Sequence, residues 1–282
     1  MFADPKFSSL SPDFWALIKM VSEDLGYTTR ARGGVDGVAK IFSPYEIAEL
    51  CERSNTNISD EYIELASQYS VWRANALNDI IRPNLMDAET AKTTFDNLYH
   101  DIYQRKGFSA KLPMNKQSGQ MKQVNYFTAI INIITEDVIT QLINTPHPGF
   151  DDDPRGLVFV WDRNNRLVGG ASRRFDGAYP SINNPKIIWE IKEYYYATTF
   201  GSRVADGVYE TQLDGFEFQE IYNRTGIKVY HTLFIDAYRT WWVQGKSYLC
   251  RLMDALNAGL VDEVIVGKEV LTRWPQVLRE QL

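Results

Sequence analysis

Apolar positions recur at helical spacing through roughly the first hundred residues and again over 122–145, then switch to alternation near residue 157. SPDFWALIKMVSEDLG places a serine ahead of such a run and a glycine behind it, which predicts a helix; SPYEIAELCERS begins the same way. In SDEYIELASQYSVWRANALNDII, Ser59 can cap a third helix, but Tyr62 stands where a capping box needs Glu or Gln, leaving Asp60 and Glu61 to favour the helix dipole. The segments 43–53 and 59–79 could form a helix-turn-helix, yet the connecting SNTNIS is longer than its usual tight turn, so a packed helix pair is the expectation. Ile130, Ile131, Ile134, Val138, Ile139 and Leu142 mark a further helix within 122–145. LVFVWD and RLVGGASRRF then read as a hairpin turning over Asp162–Asn165, with KIIWEIKEYYY as a third strand. SRVADGVYETQLDGFEFQEIYNR reads as a helix broken or loosened at Gly207 and Gly215. KVYHTLFIDAY is a fourth strand, SYLCRLMDALNAG a helix and VDEVIVG a last short strand. The sum is a mixed α/β chain, mainly helical over 1–120, where recognition or dimerisation could reside, with an α/β core over 121–282.

Composition adds bounds rather than chemistry. Hydrophobic residues make up 44% of 282, enough for a proper core. No run approaches the ~18 apolar residues that span a membrane, and MFADPKFSSLSPDFW lacks the pattern of a secretory leader, so a cytoplasmic protein is expected. Cys51 and Cys250, far apart and each in a helical pattern, read as buried thiols in a reducing compartment. The net charge of −6 disfavours nucleic acid as a partner, but its distribution does not: between Asp101 and Glu136 lie Arg105, Lys106, Lys111, Lys116 and Lys122 and no acid. That stretch reads either as a basic, phosphate-contacting loop or as a solvated linker.

The chemistry concentrates in RFDGAYPSINNPKIIWEIK. Residues i and i+2 of a strand share a face, so Glu190 and Lys192 project together while Ile187, Trp189 and Ile191 project into a core. Ionisable groups on a buried strand are costly unless paired or bound to metal. An exposed Glu-x-Lys is an ordinary ion pair worth ~0–1 kcal/mol; here the flanking apolar residues indicate a central strand. Asp176, arriving at the end of a preceding strand, supplies a second carboxylate. Hard Mg2+, for which Mn2+ can substitute, suits this donor set, with the Ile191 carbonyl as a further ligand. Lys192, desolvated near a metal, would have its pKa lowered toward a base role.

This arrangement resembles the PD-(D/E)XK nuclease superfamily, most closely the type II restriction endonucleases. Asp176 takes the first acid's place, Glu190 the second and Lys192 the lysine; Phe175 stands where the motif's proline would be. The resemblance covers roughly residues 120–270. It implies a restriction-endonuclease-like core of a four- to five-stranded mixed sheet flanked by helices. It also implies a homodimer cutting a short sequence of double-stranded DNA in a prokaryotic cell, with a companion DNA methyltransferase encoded nearby. Glu136, on the first core helix, is the expected additional metal ligand. Arg173 and Arg174 flank Asp176, and one of them should face the site. Arg203, at a helix start after Thr198–Ser202, is the expected phosphate clamp. Lys111, Lys116 and Lys122 are the loop's DNA contacts. A nonspecific repair or phage-defence nuclease and an RNA-processing enzyme share this chemistry; a catalytically silent nucleic-acid-binding or interaction protein does not.

Overall fold

Helix starts in the N-terminal half follow local capping chemistry. The computed structural model describes residues 1–29, 37–114, 123–145, 149–196 and 202–282. Helix α1 (Pro12–Leu25) carries proline in its first turn and stops at Gly26, whose φ of +84° suits glycine. Ser43 opens α2 (Pro44–Arg53) with a full capping box: its hydroxyl accepts the Glu46 N–H, and the Glu46 carboxylate accepts the Ser43 N–H at 2.8 Å. Ser59 caps α3 (Asp60–Asn75) through the Tyr62 N–H alone, as Tyr62 at that position requires. Ile47, Leu50 and Cys51 of α2 pack with Phe14, Leu17 and Tyr69 in one apolar cluster, so the pair is joined by ordinary packing. Both Cys51 and Cys250 are buried free thiols.

A π-helical turn (Ala76–Ile81) and the short α4 (Arg82–Asn84) lead to α5 (Ala88–Leu98) and α6 (Tyr126–Ile143). By length and composition α6 is the one described helix able to cross a membrane, which corrects the sequence expectation of none; 67% of it is buried inside this fold, as in a core helix. The hairpin forms as its pattern predicts, β1 (Phe159–Trp161) against β2 (Leu167–Gly170), closed by the Asn165 N–H to Asp162 carbonyl bond. It is a separate two-stranded sheet. The main sheet has order β3 (Gly177–Tyr179), β4 (Ile187–Glu193), β5 (Tyr230–Asp236), β6 (Glu263–Val266), with β3 antiparallel to β4 and the others parallel. Asp176 therefore does not end the hairpin strand; it immediately precedes a short strand of its own.

Helices α7 (Ser202–Thr225) and α8 (Lys246–Asn257) cover one face of the sheet, and α6 and α9 (Arg273–Gln281) cover the other. The described chain is thus a mixed α/β protein in three layers. Strand alternation sorts β4 between them: Ile187 and Trp189 join the α6–α9 cluster, whereas Glu190 and Lys192 point to α7. Helix α7 is continuous, contrary to the break expected at its glycines. They serve close packing instead: a Cβ on Gly215 would fall 2.3 Å from the Leu260 carbonyl oxygen, and one on Gly207 3.2 Å from the Lys192 Cε.

At the end of β5, the fully buried Asp236 accepts the Met86 and Ala237 N–H groups at 2.8 Å and the Tyr195 hydroxyl, tying the chain before α5 to the sheet. Burial pushes its carboxyl up to about 8 despite these donors. The folded value exceeds the ~3.9 of an unfolded aspartate, so the associated stability is complete below that value and is lost as pH rises toward 8. Asp176, Glu193 and Asp214 shift the same way. The melting temperature should accordingly fall between pH 5 and pH 8.5, and fall less steeply in Asp236→Asn, whose amide can still accept the two N–H groups. Identical slopes would show that another group titrates.

Candidate active site

The short β3 brings Asp176 beside β4: its N–H bonds the Trp189 carbonyl at 3.0 Å, and its carboxylate accepts the Ile191 N–H at 2.7 Å. N–H and C=O of a strand residue leave on the same edge, so the Ile191 carbonyl lies on the Asp176 side of β4. Glu190 and Lys192 stand next to it on the α7 face, both buried, with Lys192 Nζ 2.6 Å from Glu190 Oε1. Arg173 reaches in from the segment before β3, its Nη2 lying 3.0 Å from Glu190 Oε2. Arg174 is exposed. One arginine of the pair faces the site, as the sequence suggests.

Helix α7 adds two acids that the sequence reading did not place here. Glu210 pairs with Lys192 at 2.6 Å, and Asp214 with Arg173 at 3.1 Å. They lie four residues apart, and Gly207, one turn before Glu210, lets the helix approach Lys192. An acid–acid i, i+4 pair following a glycine on an otherwise apolar helix face was the available signal.

Four carboxylates, Asp176, Glu190, Glu210 and Asp214, thus meet two cations, and full ionisation would leave two negative charges unbalanced. Burial, then the neighbouring Glu190, pushes the Asp176 carboxyl up to about 8. Burial likewise lifts Asp214 to about 7 against the pull of Arg173. For Lys192 the balance is reversed from the expected lowering. Burial alone would lower its pKa, but Glu190 and the other acceptors outweigh it and raise it above the ordinary lysine value. With these carboxylates as its neighbours Lys192 holds its proton firmly, which suits it to neutralising charge.

The donors here are oxygens, the kind a hard dication takes. Glu190 Oε2 and Asp214 Oδ1 are buried and accept no hydrogen bond, since the Arg173–Glu190 contact is an ion pair without hydrogen-bond geometry. Two carboxylates and a main-chain oxygen would leave the rest of the shell to water and substrate. Among the described residues no group of three or more His, Cys, Asp or Glu side chains encloses a metal position.

Other expected residues are not brought to this cluster. Glu136 belongs to α6, on the opposite face of the sheet, where its buried carboxylate accepts the Ser109 and Ala110 N–H groups at 3.0 and 2.7 Å. Its role there is to hold the start of the basic loop, which corrects its assignment as a metal ligand. Lys111 sits in that loop, with its ammonium 3.3 Å from Asp152. Lys116 and Lys122 lie outside the described residues. Arg203 is exposed on the first turn of α7, and its carbonyl accepts the Tyr194 hydroxyl. Trp241 and Trp242 are core residues.

Residues 86–281, which contain this whole site, match a family model described as Domain of unknown function (DUF7687), and residues 1–80 match another, Domain of unknown function (DUF7690). No curated protein and no solved structure matches the chain.

Proposed function

The chain belongs to the DUF7687 family, and we propose that it is a Mg2+-dependent DNA endonuclease of the PD-(D/E)XK kind, acting as a type II restriction enzyme. The observation that carries this reading is the convergence of Asp176, just before β3, with Glu190 and Lys192 of the adjacent antiparallel β4 onto one net-negative site. Asp176 and Glu190, with the Ile191 carbonyl, would hold Mg2+, for which Mn2+ could substitute. When bound, the metal lowers the pKa of water and polarises a phosphoryl oxygen. Lys192, kept charged by Glu190 and Glu210, neutralises negative charge developing on the phosphate. Arg173 holds Glu190 and Asp214 in place from the other side. The restriction-endonuclease-like core is supported by the order α6, hairpin, β3, β4, α7, β5 and by the position of one acid just before β3 and the next on β4.

Two copies related by a two-fold axis would cut both strands of a palindrome; a nearby methyltransferase gene and a cytoplasmic site in a prokaryote belong to the same proposal. The test is incubation of the purified chain, and of Lys192→Ala, with phage DNA and Mg2+, followed by electrophoresis. Discrete fragments from the wild type alone are expected. A smear would indicate a nonspecific nuclease, and intact DNA across several metals and methylation states would defeat the nuclease reading.

A further inference from the structure

Strands β4 and β5 run parallel, and their last residues, Glu193 and Asp236, are paired side by side. Beyond them the chain opens a cavity of about 650 Å³, lined by Tyr194, Tyr195 and Tyr196 after β4 and by Tyr238, Arg239 and Thr240 after β5. That volume lies in the range of small-ligand pockets, and its place outside the carboxyl ends of parallel strands is where α/β sheets commonly bind ligands.

The polar groups divide into two sets. The inner ones are committed within the fold: the Tyr194 hydroxyl donates to the Arg203 carbonyl at 3.0 Å, the Tyr195 hydroxyl to Asp236, and the Thr240 hydroxyl to the Tyr194 carbonyl at 3.0 Å, while the Asp87 carboxylate, the acid in the lining, accepts the Thr90 N–H at 2.7 Å as the cap of α5. These bonds fix the orientation of the first two rings. The outer set is uncommitted. Among the described residues the side chains of Tyr196, Tyr238 and Arg239 make no hydrogen bond, and Arg239 is exposed. Oriented aromatic faces with one unpaired guanidinium at the rim suit a flat π-system carrying an anion. Stacking on tyrosine is sequence-tolerant, and arginine pairs with phosphate.

The cavity also adjoins the carboxylate–lysine cluster. Tyr194 follows Lys192 by two residues on the same face of the chain, and a Cβ on Gly207 would lie 3.2 Å from both the Tyr194 hydroxyl and the Lys192 Cε. One side chain separates the two sites.

We propose that this cavity holds an unpaired nucleobase, with its phosphate on Arg239, next to the scissile phosphate of the nucleic-acid substrate; this rests on the nuclease reading for the identity of the polymer. Substrate is then gripped through a nucleotide outside the base-paired stack. A free nucleotide offers the same chemistry, and the test separates the two sources.

The full chain in EDTA, which prevents cutting, is titrated into a fluorescein-labelled single-stranded oligodeoxyadenylate and followed by anisotropy. Tyr238→Ala, which removes a stacking face, and Arg239→Ala, which removes the phosphate partner, should each weaken binding about tenfold. Tyr45→Ala, on the exposed side of α2, should bind as the wild type does. Unchanged affinity in both pocket variants overturns the proposal; the exposed Arg239 keeps that outcome readable if Tyr238→Ala fails to fold. AMP should compete with the oligonucleotide. AMP binding that depends on Tyr238 while oligonucleotide binding does not would assign the cavity to a free nucleotide and overturn the substrate role. Cleavage with Mg2+ but variant-insensitive binding sinks the pocket alone, whereas variant-sensitive binding without cleavage in any metal sinks the nuclease reading alone.

Discussion

Glu190→Ala is expected to lower the rate of DNA cleavage by about a thousandfold, the equivalent of ~4 kcal/mol of transition-state stabilisation. Two losses combine in it. One of the two carboxylates proposed to hold Mg2+ disappears, and with it much of the several kcal/mol that a bound metal supplies. Lys192 also loses the acceptor 2.6 Å away that fixes its ammonium, keeping only Glu210. The fold should suffer far less. Removing Glu190 relieves Asp176 of the neighbouring charge that, after burial, raises its carboxyl most, and it leaves Arg173 with Asp214. Single-turnover cleavage and urea denaturation, measured on the same preparation, separate the two effects. Mg2+ should raise the melting temperature of the wild type by mass action and leave Glu190→Ala unmoved. Undiminished cleavage by the variant, or equal metal stabilisation of both proteins, would refute the assignment.

Arg73→Ala should cost about 3–5 kcal/mol of stability, the usual penalty for leaving one partner of a buried ion pair unmatched. The guanidinium is 1% exposed; its Nη1 lies 2.9 and 3.1 Å from the two Asp254 oxygens and 3.3 Å from the Ser22 hydroxyl. The Tyr69 hydroxyl donates to the same carboxylate at 2.7 Å. Arg73 sits on α3, Ser22 on α1 and Asp254 on α8, so the pair joins the N-terminal helices to the layer covering the sheet. Truncating the arginine leaves the Asp254 carboxylate buried with the tyrosine hydroxyl as its remaining named donor. Arg73→Met with Asp254→Leu should recover most of the loss, because two apolar side chains need no charge balance. Urea denaturation of the single and double variants checks both statements; a loss under about 1 kcal/mol for the single variant would mean that water reaches the pair.

Features that depend on a few neighbouring residues could be read from the chain alone. Ser43 and Glu46 close a capping box because the participating groups lie within one turn, and Gly26 stops α1 because the required φ is a property of that residue. Period-two alternation was enough to place Glu190 and Lys192 on one face and Trp189 on the other, and the turn at Asp162–Asn165 was visible in its own residues. The strand beginning just after Asp176 escaped because three residues carry too little pattern to show a period. Which layer each face meets depends on how distant segments pack. Glu136 was lost to the site because α6 packs on the opposite side of the sheet, and Glu210 and Asp214 entered it because α7 packs on this side. The glycines that look like helix breakers are close contacts with Leu260 and Lys192, seen only once the partners are in place. The charge state of Lys192 belongs to the same class: burial and carboxylates pull its pKa in opposite directions, and which wins depends on distances between chain segments that no local pattern encodes.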